Sequence, residues 1–222
     1  MRALLFDVFG TCVDWRTSII RAAARHGLPP ELADAWRAQY QPQLETVRSG
    51  ARPWVNLDTL HRAGLDRVLD DMRLELPGDD RAALVRAWHE LDPWPDTIEG
   101  LARLKARFVI AACSNGHIAQ SVGLARHAKL PWDAILGAEL ARAYKPQPEV
   151  YLRSVEALGL RPDEVCMVAA HNDDLRAAGA LGLRTAFVVR PTQHGPGQTT
   201  DLAPEGDHDA VASDLVELAE GL

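Results

Sequence analysis

Asp7, the pair Ser114-Asn115, Lys145 and the group His171-Asn172-Asp173-Asp174 are the residues whose types and positions could do chemistry together. A carboxylate can attack an electrophilic carbon, and a neighbouring ammonium keeps it ionised. Hydroxyl and amide groups at the start of a helix can hold an anion. Asp7 directly follows the apolar run Ala3-Leu4-Leu5-Phe6, Ser114 follows Phe108 to Cys113, and the His171 group follows Val165 to Ala169. Lys145 lies in Ala143-Tyr144-Lys145-Pro146. In an open parallel sheet, ligands bind at the carboxyl ends of strands, which brings such residues to one place. Taken singly, each has an ordinary reading. Asp7 and Ser114-Asn115 can be helix caps, Lys145 a surface lysine, and Asp173 and Asp174 acids that answer a helix dipole.

The elements that must position them follow from the pattern. Apolar runs at 3–6, 108–113, 165–169 and 185–189 read as strands, with a short one at 134–136. Helical periodicity fills 97–106, 118–127, 148–158 and 174–181 between them. This alternation predicts an α/β fold with a doubly wound parallel sheet. From Trp15 to Leu91 no strand is apparent, only helical spacing such as Leu32, Trp36, Tyr40 and Leu44. That block reads as a helical cap domain (15–91) inserted after the first strand into a core formed by 1–14 and 92–222. Pro42 is expected to kink the helix it interrupts. Residues 191–207 read as a loop, with a final helix over 213–222.

Composition narrows the function. With 31 acids against 24 bases the net charge is −7, which argues against a duplex nucleic-acid partner. A locally positive pocket for a small anion remains open. The run 108–113 is far too short to span a bilayer, so no membrane partner is expected. Cys12, Cys113 and Cys166 form no CxxC pair, the start of the chain shows no signal-peptide pattern, and a reducing, cytoplasmic setting is the expectation.

The order of these motifs resembles the haloacid dehalogenase superfamily. Phe6-Asp7-Val8-Phe9-Gly10-Thr11 matches its first motif, Ser114-Asn115 the second, Lys145 with Pro146 the third, and the last acid of His171-Asn172-Asp173-Asp174 the fourth. The resemblance covers essentially the whole chain and implies a Rossmann-like core with a helical cap. The superfamily's phosphatases place a general-acid Asp two residues after the nucleophile. Here that position is Phe9, which has no proton to give a phosphate-ester leaving group. A halide needs none. The resemblance is therefore to the type II, L-specific 2-haloacid dehalogenase branch, whose members work without metal or cofactor on small 2-haloacids.

What this resemblance implies for the site is specific. Asp7 is the nucleophile, Lys145 keeps it ionised, and Arg37 with Asn115 receives the halide. Thr11 and Ser114 hold the substrate carboxylate, Phe9 and Trp54 line the substrate, and Tyr151 hydrogen-bonds near Lys145. Asp174, joined by His171, orients the hydrolytic water. His171 stands where the branch carries Asn, and Ala169 and Ala170 replace two serines. Leu57 stands where the branch often has an aromatic. Homodimerisation, common in such enzymes, would use exposed apolar cap residues. A Mg²⁺-dependent phosphatase built on Asp7, Asp173 and Asp174 remains the alternative enzyme, and a silent binding protein of the same fold the third reading.

Overall fold

The structure, a computed structural model, describes residues 1–222. Its centre is a parallel sheet of six strands: β1 (Ala3–Phe6), β4 (Val109–Ser114), β5 (Ala134–Gly137), β6 (Val165–Ala169), β7 (Arg184–Val188) and β8 (Ala210–Ala212). They lie in the order β5-β4-β1-β6-β7-β8. β1 is central, paired with β4 on one side and β6 on the other. The chain reverses its direction of growth there, so the carboxyl ends of β1, β4 and β6 border one crevice. Every residue of β1 and β6 is buried, as expected of strands covered on both faces.

The two-residue period sorts these strands into two hydrophobic layers. Leu4, Phe6, Ile110, Ala112, Cys166 and Val168 face one layer, which helices α6 (Thr97–Lys105) and α11 (Leu215–Gly221) complete. Leu5, Ala111, Cys113, Met167 and Phe187 face the other, filled by Val150, Tyr151 and Val155 of α9 (Pro148–Ala157) and by Leu175 and Ala178 of α10 (Asn172–Ala180). Helix α7 (Ile118–Ala128) and the single turn α8 (Ala138–Ala141) complete the core.

The helical cap is reached through a ribbon only two residues wide. Strand β2 (Val13–Asp14) pairs antiparallel with β3 (Asp92–Pro93), joining the two ends of the inserted segment. Between them run α1 (Trp15–Ala24), α2 (Glu31–Ala38), α3 (Tyr40–Arg48), α4 (Leu57–Met72) and α5 (Gly78–Arg86). Asp14 caps α1 by accepting from the Thr17 N–H, and Asn56 caps α4 by accepting from Thr59. Trp88 anchors the packing: Trp15 stacks on it at 6.2 Å, and Trp36 and Phe9 meet it edge-on at 5.5 and 6.0 Å. Phe9 belongs to the core, so this aromatic group also fastens cap to core.

Three expectations change. Pro42 does not kink a helix: α2 ends at Ala38, α3 starts at Tyr40, and Pro42 sits in the first turn, where its missing N–H has no carbonyl to meet. Strand β8 falls outside every apolar run, because three residues carry no period and their pairing with β7 fixes them. The exposed large apolar residues, including Val109, Ile118, Val122, Leu140 and Leu152, lie on the core and not on the cap, whose apolar side chains are taken up by the tryptophan packing. No helix is long and apolar enough to cross a membrane.

Candidate active site

At the carboxyl end of β1, Asp7 is 6% exposed and holds both carboxylate oxygens in contacts. Lys145 Nζ donates to Oδ1 at 2.8 Å, and Thr11 Oγ1 donates to Oδ2 at 2.8 Å. His171 Nδ1 lies 3.2 Å from Oδ2. Burial opposes ionisation, but Lys145 and then His171 overcome it and hold the Asp7 carboxyl well below the usual range.

Lys145 is shared. Its Nζ also donates to Asp174 Oδ2 at 2.5 Å, and Tyr151 Oη donates to Asp174 Oδ1 at 2.5 Å. Burial disfavours the ammonium, yet Asp174 and Asp7 together raise its pKa and keep it charged. Burial followed by the Asp174 carboxylate pushes the Tyr151 phenol far above its ordinary value, so it stays a donor. Asp173, one residue from Asp174, lies on the lining of the same cleft but pairs with Arg176. The three acids of the phosphatase alternative are each held by a cation, Asp7 and Asp174 by Lys145 and Asp173 by Arg176, and do not form a close cluster of ligand atoms.

His171 makes its second contact through Nε2, 3.0 Å from Gln193 Oε1. Burial works against its charge, but Asp7 outweighs burial and raises its pKa. Gly10 makes this possible. It has φ +90°, and a Cβ there would stand 2.0 Å from Gln193 Oε1.

The cap faces this group across an open cleft of about 590 Å³ lined by Asp7, Phe9, Lys145, His171, Asp174 and Tyr151 from the core. Trp15, Arg37 and Tyr40 line it from above, with His194 from the loop after β7. The Arg37 guanidinium lies over the Tyr40 ring at 4.1 Å and near Trp15 at 5.3 Å. No carboxylate pairs with it, and one of its terminal nitrogens is buried without a hydrogen-bond partner. Asn115 bridges the two sides: its Nδ2 donates to Tyr40 Oη at 3.0 Å, and its Oδ1 accepts from the Lys145 N–H at 2.8 Å. One N–H of that amide is left over.

Several expected residues stand elsewhere. Thr11 and Ser114 are buried and do not line the cleft. The Thr11 hydroxyl is committed to Asp7 and accepts from the Ala170 N–H, while Ser114 Oγ accepts from the Gly116 N–H. The Thr11 hydroxyl proton is thus spent on Asp7, whereas the Ser114 hydroxyl only accepts and keeps its proton; both brace the loops that carry Asp7 and Asn115. Trp54 is outside the cleft as well, because its indole lies against the Arg142 guanidinium at 4.1 Å. Tyr40, Trp15, Gln193 and His194 were missed. Tyr40 and Trp15 read only as apolar cap residues. Gln193 and His194 sit in the 191–207 loop, whose signal is that it too leaves a strand's carboxyl end, that of β7.

Residues 1–182 match the haloacid dehalogenase-like hydrolases. The chain is 32% identical to (S)-2-haloacid dehalogenase 1 of Pseudomonas sp. (strain CBS-3), over 98% of its own length and 96% of the relative's. Among solved structures it is similar to an L-2-haloacid dehalogenase at TM-score 0.96 and 50% identity, covering 100% of this chain and 99% of that one. A second, described as a defluorinating L-2-haloacid dehalogenase, gives 0.97 and 49% over 100% and 95%. With the nucleophile motif, cap and fourth-motif acids on one cleft, the chain belongs to the haloacid dehalogenase-like hydrolases, in the branch of the (S)-2-haloacid dehalogenases.

Proposed function

We propose that the protein hydrolyses short 2-haloacids, with the L configuration preferred, to 2-hydroxy acids and halide through an ester on Asp7. One observation carries this reading. An aspartate held ionised faces an unpaired guanidinium across the cleft, and the side chain at position 9 is a phenyl ring with no proton to donate. That pairing suits expulsion of a stable anion and does not suit protonation of an alkoxide or phosphate ester.

In the first step Asp7 attacks the halogen-bearing carbon in line; the carbon–halogen bond breaks and the halide leaves toward Arg37. The spare N–H of Asn115 and the Arg37 guanidinium are the donors available to halide and substrate carboxylate. Alkylation removes the charge on Asp7, and with it the main support for the His171 imidazolium, which releases its proton to solvent. His171 then takes a proton from water as that water attacks the Asp7 carbonyl carbon. Collapse of the tetrahedral species expels the product alkoxide, which receives this proton. The regenerated Asp7 carboxylic acid protonates His171 and restores the resting pair. Asp174, fixed by Lys145 and Tyr151, keeps Lys145 against Asp7 throughout.

The reading takes 1–14 and 92–222 as the catalytic core and 15–91 as the cap. It places the protein in the reducing cytoplasm, supported by three buried, unbridged cysteines whose thiols burial pushes upward, Cys113 to about 11. Homodimerisation would use the exposed core residues around Ile118 and Val122.

The test combines halide release with labelling. Chloride should appear from L-2-chloropropionate far faster than from the D form, with fluoroacetate in the same panel. Single turnover in ¹⁸O-water should place label in Asp7. Label found only in the first product would remove the ester. Turnover of p-nitrophenyl phosphate that depends on Mg²⁺, with the haloacids untouched, would restore the phosphatase.

A further inference from the structure

Away from the cleft, Asp58 and His89 of the cap meet His117 of the core. His89 Nε2 stands 2.9 and 3.0 Å from the two oxygens of Asp58, and His117 Nε2 stands 3.7 Å from Oδ2. One nitrogen from each imidazole and one carboxylate oxygen all lie within 4.8 Å of one another. The two rings meet edge to face, centroids 5.6 Å apart at 75°. The geometry points to a divalent transition-metal site, of the Zn²⁺ class, that staples the cap to the core.

The spacing fits such an ion. At bond lengths of about 2.0–2.2 Å a tetrahedral ion sets its ligand atoms ~3.3 Å apart, and the observed 2.9 and 3.7 Å fall on either side of that value. Two imidazoles and one carboxylate suit Zn²⁺, Co²⁺ or Ni²⁺ and are poor ligands for Mg²⁺ or Ca²⁺, which prefer all-oxygen sets. Three protein ligands leave a fourth position for water.

His117 argues for an ion over a plain hydrogen-bond network. The His117 side chain is 7% exposed, and its Nε2, which faces Asp58 Oδ2 at 3.7 Å, makes no hydrogen bond at that separation. A histidine so placed has a lone pair to give. Room for His89 comes from Gly123 of α7, where a Cβ would stand 3.2 Å from the His89 Cβ and 3.3 Å from Nδ1. Glu139 lies beside the site, accepting from the Ile118 N–H at 2.7 Å, and adds a second negative charge.

The consequence is mechanical. Asp58 begins α4, His89 lies just before the ribbon that ends the cap, and His117 follows Asn115 by two residues. An ion here would fix the cap against the same loop that carries Asn115.

The full-length chain, stripped with chelator, should be titrated with Zn²⁺ against a chromogenic zinc indicator and by thermal unfolding. We expect one equivalent at micromolar metal, an upward shift in Tm of several degrees, and visible d–d bands when Co²⁺ replaces Zn²⁺. His89→Gln and His117→Gln should each abolish all three while His171→Asn retains them. His89→Gln should keep its metal-free Tm and dehalogenation rate, so it carries the test should His117→Gln unfold. Absence of binding at these concentrations, or binding that survives both histidine variants and moves with His171→Asn, would overturn the site.

Discussion

Gln193 Oε1 accepts from His171 Nε2 at 3.0 Å in a space that only a glycine at position 10 leaves free. With Asp7 Oδ2 against Nδ1, each imidazole nitrogen faces an acceptor, which is the arrangement an imidazolium requires. The charge on His171 is thus tied to the charge on Asp7, and esterification releases a base at the stage that needs one. His171→Phe, which keeps a ring and removes both nitrogens, should give a burst of one halide per chain and then turn over slower by roughly 10²–10⁴-fold, with the ester visible by intact mass. Gln193→Leu, which removes only the acceptor, should lower kcat with KM held. Unchanged steady-state turnover in His171→Phe would take histidine out of the second step.

Much of this site was legible in the sequence because strands announce their ends. Asp7, Asn115 and Asp174 each follow an apolar run, and burial on both faces makes those runs continuous. Lys145 has no such marker; only its place in the motif order pointed to it. The cap was harder. Helical spacing located Trp36 and Tyr40 as a stripe, yet it could not say that Tyr40 would carry Arg37 on its ring while accepting from Asn115. Thr11 shows the opposite failure. Its type suits anion binding, but its hydroxyl donates to Asp7 and accepts from the Ala170 N–H, a matter of tertiary geometry that residue type does not encode.

Arg37 should matter as a planar donor and not as charge alone. It stacks on Tyr40 and presents a terminal nitrogen with no partner. Arg37→Met should lower kcat/KM for 2-chloropropionate by about 10²–10³-fold, the scale seen when one donor to developing negative charge is lost. Arg37→Lys should recover part of that, since an ammonium keeps the charge but neither the fork nor the stack. Equal rates for the lysine variant and the parent would show that net charge suffices.

Lys145→Met removes the cation that Asp7 and Asp174 share, leaving two buried carboxylates without it. Breaking a buried pair in this way costs about 3–5 kcal/mol. The sign with pH is determined by Asp7, whose folded pKa lies below its unfolded value. In the parent, its ionisation contributes stability above the unfolded carboxylate pKa of about 4, and that contribution is lost as pH falls. In the variant the carboxylates are penalised while charged and relieved once protonated. The Tm gap between parent and variant should therefore be widest near neutral pH and narrow toward pH 4. A gap that is constant with pH would mean that lost packing, not charge, sets the cost.

His61 should set part of the acid limit of the fold. It is 4% exposed, stacked on Trp88 at 4.2 Å and 11°, with Nε2 buried and unpartnered. Burial, followed by the nearby Arg37 charge, holds its pKa well below the ordinary value, and the same two causes with His171 bring His194 to about 4. A histidine kept neutral in the fold but free to protonate when unfolded makes the unfolded state the stronger proton binder below about 6.5. Stability then rises with pH across that window and falls on acidification. His61→Phe keeps a ring on Trp88 and removes the titrating nitrogen. Its Tm should match or exceed the parent's at pH 7.5, and its loss of Tm between pH 7.5 and 5 should be the smaller of the two, measured by scanning calorimetry at fixed ionic strength. Parallel losses in both proteins would place the acid sensitivity at His194 or elsewhere, because a phenyl ring at position 61 has no proton to gain.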